Sequence, residues 1–140
     1  MSRQGRMAYY QANTDSPLYA ELRGLMLKTA GLVDVLADSL SRVARKLRVV
    51  FVYGSIAGGQ EESRSDIDLM VVGSVSPVDL AVPLRTAREL LGRKINPTVY
   101  TPAEFAKKRS GKDHFLTRVL GKPKLFVLGD KDELEKIARE

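Results

Sequence analysis

Residues 49–72 read VVFVYGSIAGGQEESRSDIDLMVV and contain two apolar runs separated by a polar, glycine-rich stretch. The first run, residues 49–53, is continuously apolar and ends at Gly54, which suits a strand buried on both faces. The second run, residues 67–72, is interrupted only by Asp68 and predicts a second strand. The stretch therefore predicts two core strands joined by a connection that carries hydroxyl and carboxylate side chains.

The connection begins with the features of an anion site. Gly54 allows the backbone to approach a ligand closely, and Ser55 adds a hydroxyl donor for a phosphate oxygen. A strand that ends in Gly-Ser and turns into a helix also presents free backbone N–H groups and a positive helix end. A Gly-Ser turn alone is commonplace and usually structural, so the interpretation depends on the residues at the start of the second strand.

A pair of aspartates, Asp66 and Asp68, stands at the start of that strand. Side chains at i and i+2 of a strand point to the same face, and two carboxylates so placed repel each other unless a cation lies between them. The chain has no cysteine and one histidine, so the cation is predicted to be Mg²⁺ or Mn²⁺ held by oxygen ligands.

A phosphate site beside a divalent-cation site is what nucleotidyl transfer requires. We therefore assign Asp66 and Asp68 as candidate catalytic and metal-binding residues. The candidate nucleotide-binding residues are Gly54, Ser55 and Ser65. An Asp-x-Asp motif by itself is more often a solvated turn, and the combination with the preceding Gly-Ser turn carries the assignment.

The N-terminal part of the chain has a helical pattern. Apolar residues recur at helical spacing from Leu18 to Leu47, which predicts one long helix or two helices broken near Gly24 or Gly31. A basic cluster is expected at the end of this helix, where cations complement the helix dipole. It consists of Arg42, Arg45, Lys46 and Arg48.

Downstream, helical and strand patterns alternate. Ser76 with Pro77 opens a helix that Gly92 ends, and Thr101 opens another with the capping-box pattern Thr-Pro-Ala-Glu. Strands are predicted at 95–100 and 124–128, and further helices at 113–120 and from residue 130 to the C-terminus. Pro97 cannot donate a ladder hydrogen bond, so its strand is expected at an edge. The fold class is α/β (α+β), a small mixed β-sheet of three to five strands flanked by helices.

Charge and hydropathy restrict the partners. The 140 residues carry a net charge of +6 with a pI near 9.7, which favours a nucleic acid or a nucleotide as partner, although many small proteins are simply basic. No apolar run approaches the ~20 residues that cross a bilayer, so no membrane contact and a cytoplasmic location are predicted. A late basic run either tracks a nucleic acid or triphosphate or is a solvated helix face: Lys107, Lys108, Arg109, Lys112, Arg118, Lys122 and Lys124.

The combination of Gly54-Ser55 with Asp66-Ile67-Asp68-Leu69 resembles the minimal nucleotidyltransferase domain of the DNA polymerase beta superfamily, over roughly residues 35–128. The resemblance implies a nucleotidyltransferase-like mixed sheet, a Mg²⁺–nucleotide site, and transfer of a nucleoside monophosphate. Residues 9–22 and 96–105 resemble the subgroup of this family that is fused to winged helix-turn-helix regulators. The resemblance implies two parts of the chain. Residues 1–31 would be a linker and helix from the tail of a winged-helix region, and residues 32–140 would be the nucleotidyltransferase-like domain.

The resemblance also implies a third carboxylate on the strand after the Asp-x-Asp strand, and none is present at 95–100. The best match to that position is Thr98, with Asn96 second, and a neutral oxygen is a weak substitute for a charged ligand of Mg²⁺. Three other carboxylates are less favoured stand-ins: Glu61, Glu62 and Asp113. Gly58 also replaces a basic residue that the family often has in the turn.

These features predict a Mg²⁺-dependent nucleotidyltransferase-like protein that uses a nucleoside triphosphate and an unidentified acceptor, which is a small molecule, a protein or RNA. The alternatives are a catalytically weak nucleotide-binding regulatory or antitoxin-like module, or a fragment of a DNA-binding transcriptional regulator. Weak, non-specific nucleic acid binding is expected from the charge. A homo-oligomer and a complex with a partner protein both remain open.

Overall fold

Four strands form one mixed sheet in the computed structural model, which describes residues 30–54 and 66–140. In chain order they are β1 (Leu47–Tyr53), β2 (Ile67–Gly73), β3 (Ile95–Tyr100) and β4 (Leu125–Leu128). Their order across the sheet is β3-β2-β1-β4; β1 is antiparallel to β2 and β4, and β2 is parallel to β3. The predicted fold class is confirmed, and β3 lies at an edge as Pro97 indicated.

Helices surround the sheet, and local signals in the sequence set most of their ends. They are α1 (described over residues 30–39), the 3₁₀ helix η1 (Ser41–Lys46), α2 (Pro77–Leu91), α3 (Pro102–Ser110), α4 (His114–Leu120) and α5 (Lys131–Ala138). Ser76 and Thr101 both form complete capping boxes, and the Asp130 side chain accepts from the N–H of Glu133. Gly92 ends α2 at φ +64. The predicted starts of α2, α3, α4 and α5 are confirmed.

Both faces of the sheet are buried, which explains why β1 and β2 are almost continuously apolar. One face packs against α1 and α2 through a cluster that contains Leu36, Val52 and Leu84. The opposite face packs against α3, α4 and α5 through a cluster that contains Phe51 and Phe105. Asp68 lies two residues before Met70 on β2, so both side chains point to this second face. The aspartates are therefore on the side of the sheet that the three C-terminal helices cover.

Two predictions for the region before β1 were wrong. Leu47 begins β1 and does not end a helix, because pairing with Gly73 of β2 takes it into the sheet. Residues 30–39 are helical, so α1 has no break after Gly31, and the part of the chain before residue 30, where the alternative break near Gly24 falls, lies outside the described residues. Arg48 is consequently on a strand, where its guanidinium pairs with the carboxylates of Glu133 (2.8 Å) and Glu140 (2.9 Å), and it does not complement a helix dipole.

Residues 32–140 form one unit, and the boundary with the preceding unit lies after Gly31. The predicted linker and winged-helix tail at 1–31 lie outside the described residues apart from residues 30 and 31. Within the described ranges, no helix combines the length and the apolar character needed to cross a membrane.

Candidate functional site

The ends of three neighbouring strands lie together along one side of the sheet, and they bring the candidate residues together. β1 ends at Tyr53, while β2 and β3 begin there, since β1 and β2 are antiparallel and β2 and β3 are parallel. In the register of the sheet, Asp68 lies between Tyr53 on one side and Asn96 on the other. Asp66 immediately precedes β2, so both predicted aspartates are placed at this edge and on the same face.

The two carboxylates have different surroundings. Asp66 is exposed, and its Oδ2 accepts a hydrogen bond of 3.1 Å from the Nδ2 of Asn96. Asp68 is half-buried between β1 and β3. Among residues 30–54 and 66–140, no lysine or arginine forms an ion pair with either carboxylate. The negative charge of this pair is therefore not neutralised by described side chains.

Gly54 occupies a position that only glycine fits well. Its φ is +88, in the left-handed region that residues with a Cβ rarely adopt. A Cβ built on Gly54 would also lie 2.7 Å from the Oδ2 of Asp68. The backbone at the end of β1 thus passes directly beside the second carboxylate. This contact links the glycine turn to the Asp-x-Asp motif, as the sequence predicted.

Tyr53 is a member of the site that the sequence assigned only to the core. The Thr98 side chain on β3 acts on the Tyr53 hydroxyl, so the Tyr53 side chain reaches across β2 next to Asp68. Burial raises the pKa of Tyr53, the hydrogen bond from Thr98 opposes this effect, and the charge of Asp68 adds to the rise. The ring packs edge-on against Phe115 of α4, with centroids 6.2 Å apart. The continuous apolar run of β1 gave no sign of this polar neighbour.

On β3, the residue that faces the aspartate pair, where the resemblance implied a third carboxylate, is Asn96 and not Thr98. Asn96 pairs with Asp68 in the register and contacts Asp66, whereas Thr98 pairs with Met70, one pleat deeper, and is engaged by Tyr53. The predicted order of these two residues is reversed. Asp113 is also removed as a stand-in, because its side chain caps α4 by accepting from the N–H of Leu116 at 3.0 Å.

Several predicted residues fall outside the described part of the chain. They are Ser55, Gly58, Glu61, Glu62 and Ser65. Their assignments as nucleotide contacts or stand-in ligands stay predictions.

The described residues provide a suitable but incomplete ligand set for a divalent cation. Within the described ranges, no three histidine, cysteine, aspartate or glutamate side chains cluster to hold a metal ion. Two carboxylates and the amide of Asn96 are nevertheless hard oxygen donors, which suit Mg²⁺ or Mn²⁺ when phosphate oxygens complete the coordination. The unneutralised charge of Asp66 and Asp68 beside the close backbone of Gly54 fits such a cation.

The contact between Gly54 and Asp68 can be tested by substitution. Gly54→Ala is expected to destabilise the fold by about 1 kcal/mol because of its positive φ, and to weaken Mn²⁺ binding by displacing the Asp68 carboxylate. Gly92→Ala is the matched control, because Gly92 also has a positive φ of +64 but no atom within 4 Å of a built Cβ. Calorimetric titration with Mn²⁺ measures both variants. Equal Mn²⁺ affinity in the two variants would argue against the carboxylate contact.

The sequence matches the family Polymerase beta, Nucleotidyltransferase, over residues 36–132. The chain belongs to this family, and it has a minimal nucleotidyltransferase domain of the kind that the fold and the aspartate pair indicate. Comparison with curated proteins gives no significant match.

Similar solved structures come from toxin–antitoxin systems. A mutant of the MntA–HpeT toxin–antitoxin complex has a TM-score of 0.53 at 13% identity, covering 79% of this chain and 81% of that chain. A toxin–antitoxin complex with AMP-PNP has a TM-score of 0.47 at 13% identity, covering 74% and 81%. A tri-AMPylated HEPN toxin from Shewanella oneidensis in complex with MNT antitoxin has a TM-score of 0.46 at 13% identity, covering 81% and 80%. The first of these supports the nucleotidyltransferase fold.

Proposed function

We propose that this chain binds a nucleoside triphosphate together with Mg²⁺ or Mn²⁺ and transfers a nucleoside monophosphate, slowly, to a small molecule, a protein or RNA in the cytoplasm. The observation that supports this proposal is the placement of Asp66 and Asp68 on one face of the sheet edge, directly beside the glycine turn at Gly54. Ser55 and Ser65 complete the proposed nucleotide contacts, and residues 1–31 are proposed to link the domain to a winged-helix region.

The aspartates would hold the cation, and the close approach of the Gly54 backbone to Asp68 would bring phosphate oxygens bound at this turn near that cation. When bound, the ion would neutralise charge on the phosphates and lower the pKa of the attacking hydroxyl. The residues where the ends of β1, β2 and β3 meet would orient the triphosphate. Family membership supports transfer as the reaction class.

The expectation of slow transfer comes from Asn96. This side chain occupies the position across from Asp68 and uses an N–H to donate to Asp66. An amide neither carries negative charge nor takes a proton from an acceptor hydroxyl, so it activates the acceptor poorly. Nucleotide binding is expected to survive this replacement better than catalysis.

The same observation favours a second candidate, a nucleotide-binding regulatory or antitoxin-like module with little turnover. The MntA–HpeT mutant that shares the fold belongs to a toxin–antitoxin complex, and a comparable partner protein is proposed for this chain. A labelled-nucleotide transfer assay with cell extract separates the two: measurable transfer to a defined acceptor supports the enzyme, and nucleotide binding without transfer supports the module.

The binding proposal is tested by thermal unfolding with each of the four nucleoside triphosphates. We expect the nucleotide to raise the Tm only when Mg²⁺ or Mn²⁺ is present, since the cation bridges the phosphates and the aspartates. A ligand at 100 times its Kd stabilises the native state by about 2.7 kcal/mol, which is readily measured. The control replaces the metal with EDTA at constant ionic strength. A Tm increase of the same size in EDTA would contradict the proposed metal site.

A further inference from the structure

A concave surface of about 320 Å³ lies apart from the aspartate pair, between α3, the loop after α4, β4 and α5. We call it the basic pocket. Its polar lining consists of Arg109, Lys122, Lys124, Lys131 and Glu135, and its apolar lining of Leu120, Pro123, Phe126 and Leu134. Four cationic side chains and one carboxylate thus surround an apolar floor.

The pocket has an excess of positive charge. The single carboxylate, Glu135, is engaged by the Arg109 guanidinium in two hydrogen bonds of 2.9 and 3.3 Å. None of the three lysines Lys122, Lys124 and Lys131 forms an ion pair with a residue in the described ranges. Three positive charges are therefore available to an anionic ligand.

Lys124 is held in place and close to the other cations. Its Nζ donates to the carbonyl oxygens of Leu120 at 2.7 Å and Lys122 at 3.1 Å, which fixes two of its three N–H groups. Burial lowers the pKa of Lys124, the charges of Lys131 and Arg109 lower it further, and the charge of Glu135 opposes this decrease. The cations are thus near enough to repel each other, and an anion between them would relieve that repulsion.

The floor of the pocket is aromatic. Phe126 lies partly buried on the edge strand β4, and its ring packs on Phe51 with centroids 5.6 Å apart. An inorganic phosphate would use the cations of the pocket but not its apolar floor. An acidic peptide would use the cations but has no need of an aromatic ring in the floor. A nucleotide with an unstacked base uses the cations and the aromatic floor together, because bases of single strands stack on aromatic rings while cations hold the backbone. The bases of a duplex are stacked inside it and cannot reach such a floor.

We propose that the basic pocket binds single-stranded nucleic acid, with phosphates on Lys122, Lys124 and Lys131 and one base against Phe126. The pocket volume is at the low end for ligand sites, which suits a single nucleotide of a longer strand. Phe126 shares the sheet face of Phe51 and Asp68. Binding at the pocket does not require catalysis or a cation at the aspartate pair.

The test measures anisotropy of a labelled 12-nucleotide single strand at several salt concentrations. Three phosphate contacts predict a slope of log K against log salt of about −2, since each contributes about −0.7. The variant Lys122→Gln/Lys131→Gln removes two exposed charges and leaves the bonds of Lys124 to backbone carbonyls intact. It is expected to weaken binding at least tenfold at low salt and to reduce the slope to about −0.7.

The matched control is Arg85→Gln/Lys136→Gln, which removes the same net charge from exposed positions outside the pocket. It is expected to bind nearly as the wild type does; an equal loss in both variants would overturn the proposal in favour of net charge. Phe126→Leu keeps the charges and should weaken binding several-fold, with folding checked by its Tm. Competition by a duplex or by poly-glutamate as effective as that by the unlabelled single strand would also overturn it.

Discussion

The double variant Asp66→Ala/Asp68→Ala is expected to lose the metal-dependent stabilisation by nucleotides that we predict for the wild-type chain. The described residues place no other carboxylate beside Gly54, so nothing in those ranges replaces the pair as cation ligands. Without the cation, the triphosphate meets no bridging charge at this edge. The shift of about 2.7 kcal/mol at 100 times the Kd should fall to near zero.

The measurement is thermal unfolding with nucleotide and Mg²⁺, compared with EDTA. A control with two exposed acidic residues removed elsewhere, Glu89→Ala/Asp132→Ala, is expected to keep the full shift. The free double variant at 66 and 68 should be at least as stable as the wild type, because two neighbouring like charges are removed. A nucleotide shift that persists in this variant would show that the triphosphate binds elsewhere.

Most of the fold could be predicted because its signals are local. Caps such as Ser76 and Thr101, and the helix end at Gly92, depend on residues within one turn of each other. The boundary before β1 could not be predicted in this way. Leu47 fits the helical spacing of the preceding apolar residues, and only its pairing with Gly73 across the sheet makes it a strand residue.

In the candidate site too, features set by residues close in sequence could be predicted, and features set by pairing between strands could not. The i, i+2 spacing of Asp66 and Asp68 places them on a common face at the start of β2, so the pair could be predicted. The third position depends on the register between β2 and β3. Asn96 and Thr98 share a face, and sequence alone does not say which of them pairs with Asp68. Tyr53 was missed for a related reason, because its partner Thr98 lies two strands away.

The basic pocket was partly visible in the sequence. The run that ends at Lys122 and Lys124 indicated an anionic partner, but it grouped these residues with Lys107 and Lys108 on α3. The fold separates Lys107 and Lys108 from the pocket and adds Lys131 from α5. The apolar floor comes from β4 and from two helices, so no sequence window contains it. The charge pattern therefore indicated an anionic partner, and the fold adds the place that we propose for its binding.

Asn96→Asp is expected to increase nucleotidyl transfer at least about tenfold, which corresponds to ~1.4 kcal/mol in the barrier. The substitution supplies a third carboxylate directly across from Asp68 and beside Asp66. Because it acts on the acceptor side, the turnover rate should rise more than the nucleotide affinity. It also replaces an N–H that donates to Asp66 with a like charge, so the metal-free variant should unfold at a lower temperature and gain more stability from Mg²⁺.

The assay compares the wild type, Asn96→Asp and Thr98→Asp with labelled nucleotide and a constant pool of acceptors from cell extract. Thr98→Asp is the control, because Thr98 pairs with Met70 and bonds to the Tyr53 hydroxyl. A carboxylate at that position would face the tyrosine and not the cation, so transfer should stay low while stability falls. Brisk transfer by the wild type that Asn96→Asp impairs would mean that another residue already activates the acceptor. If Thr98→Asp increased transfer and Asn96→Asp did not, Thr98 would be the better match to the third carboxylate, as the sequence suggested.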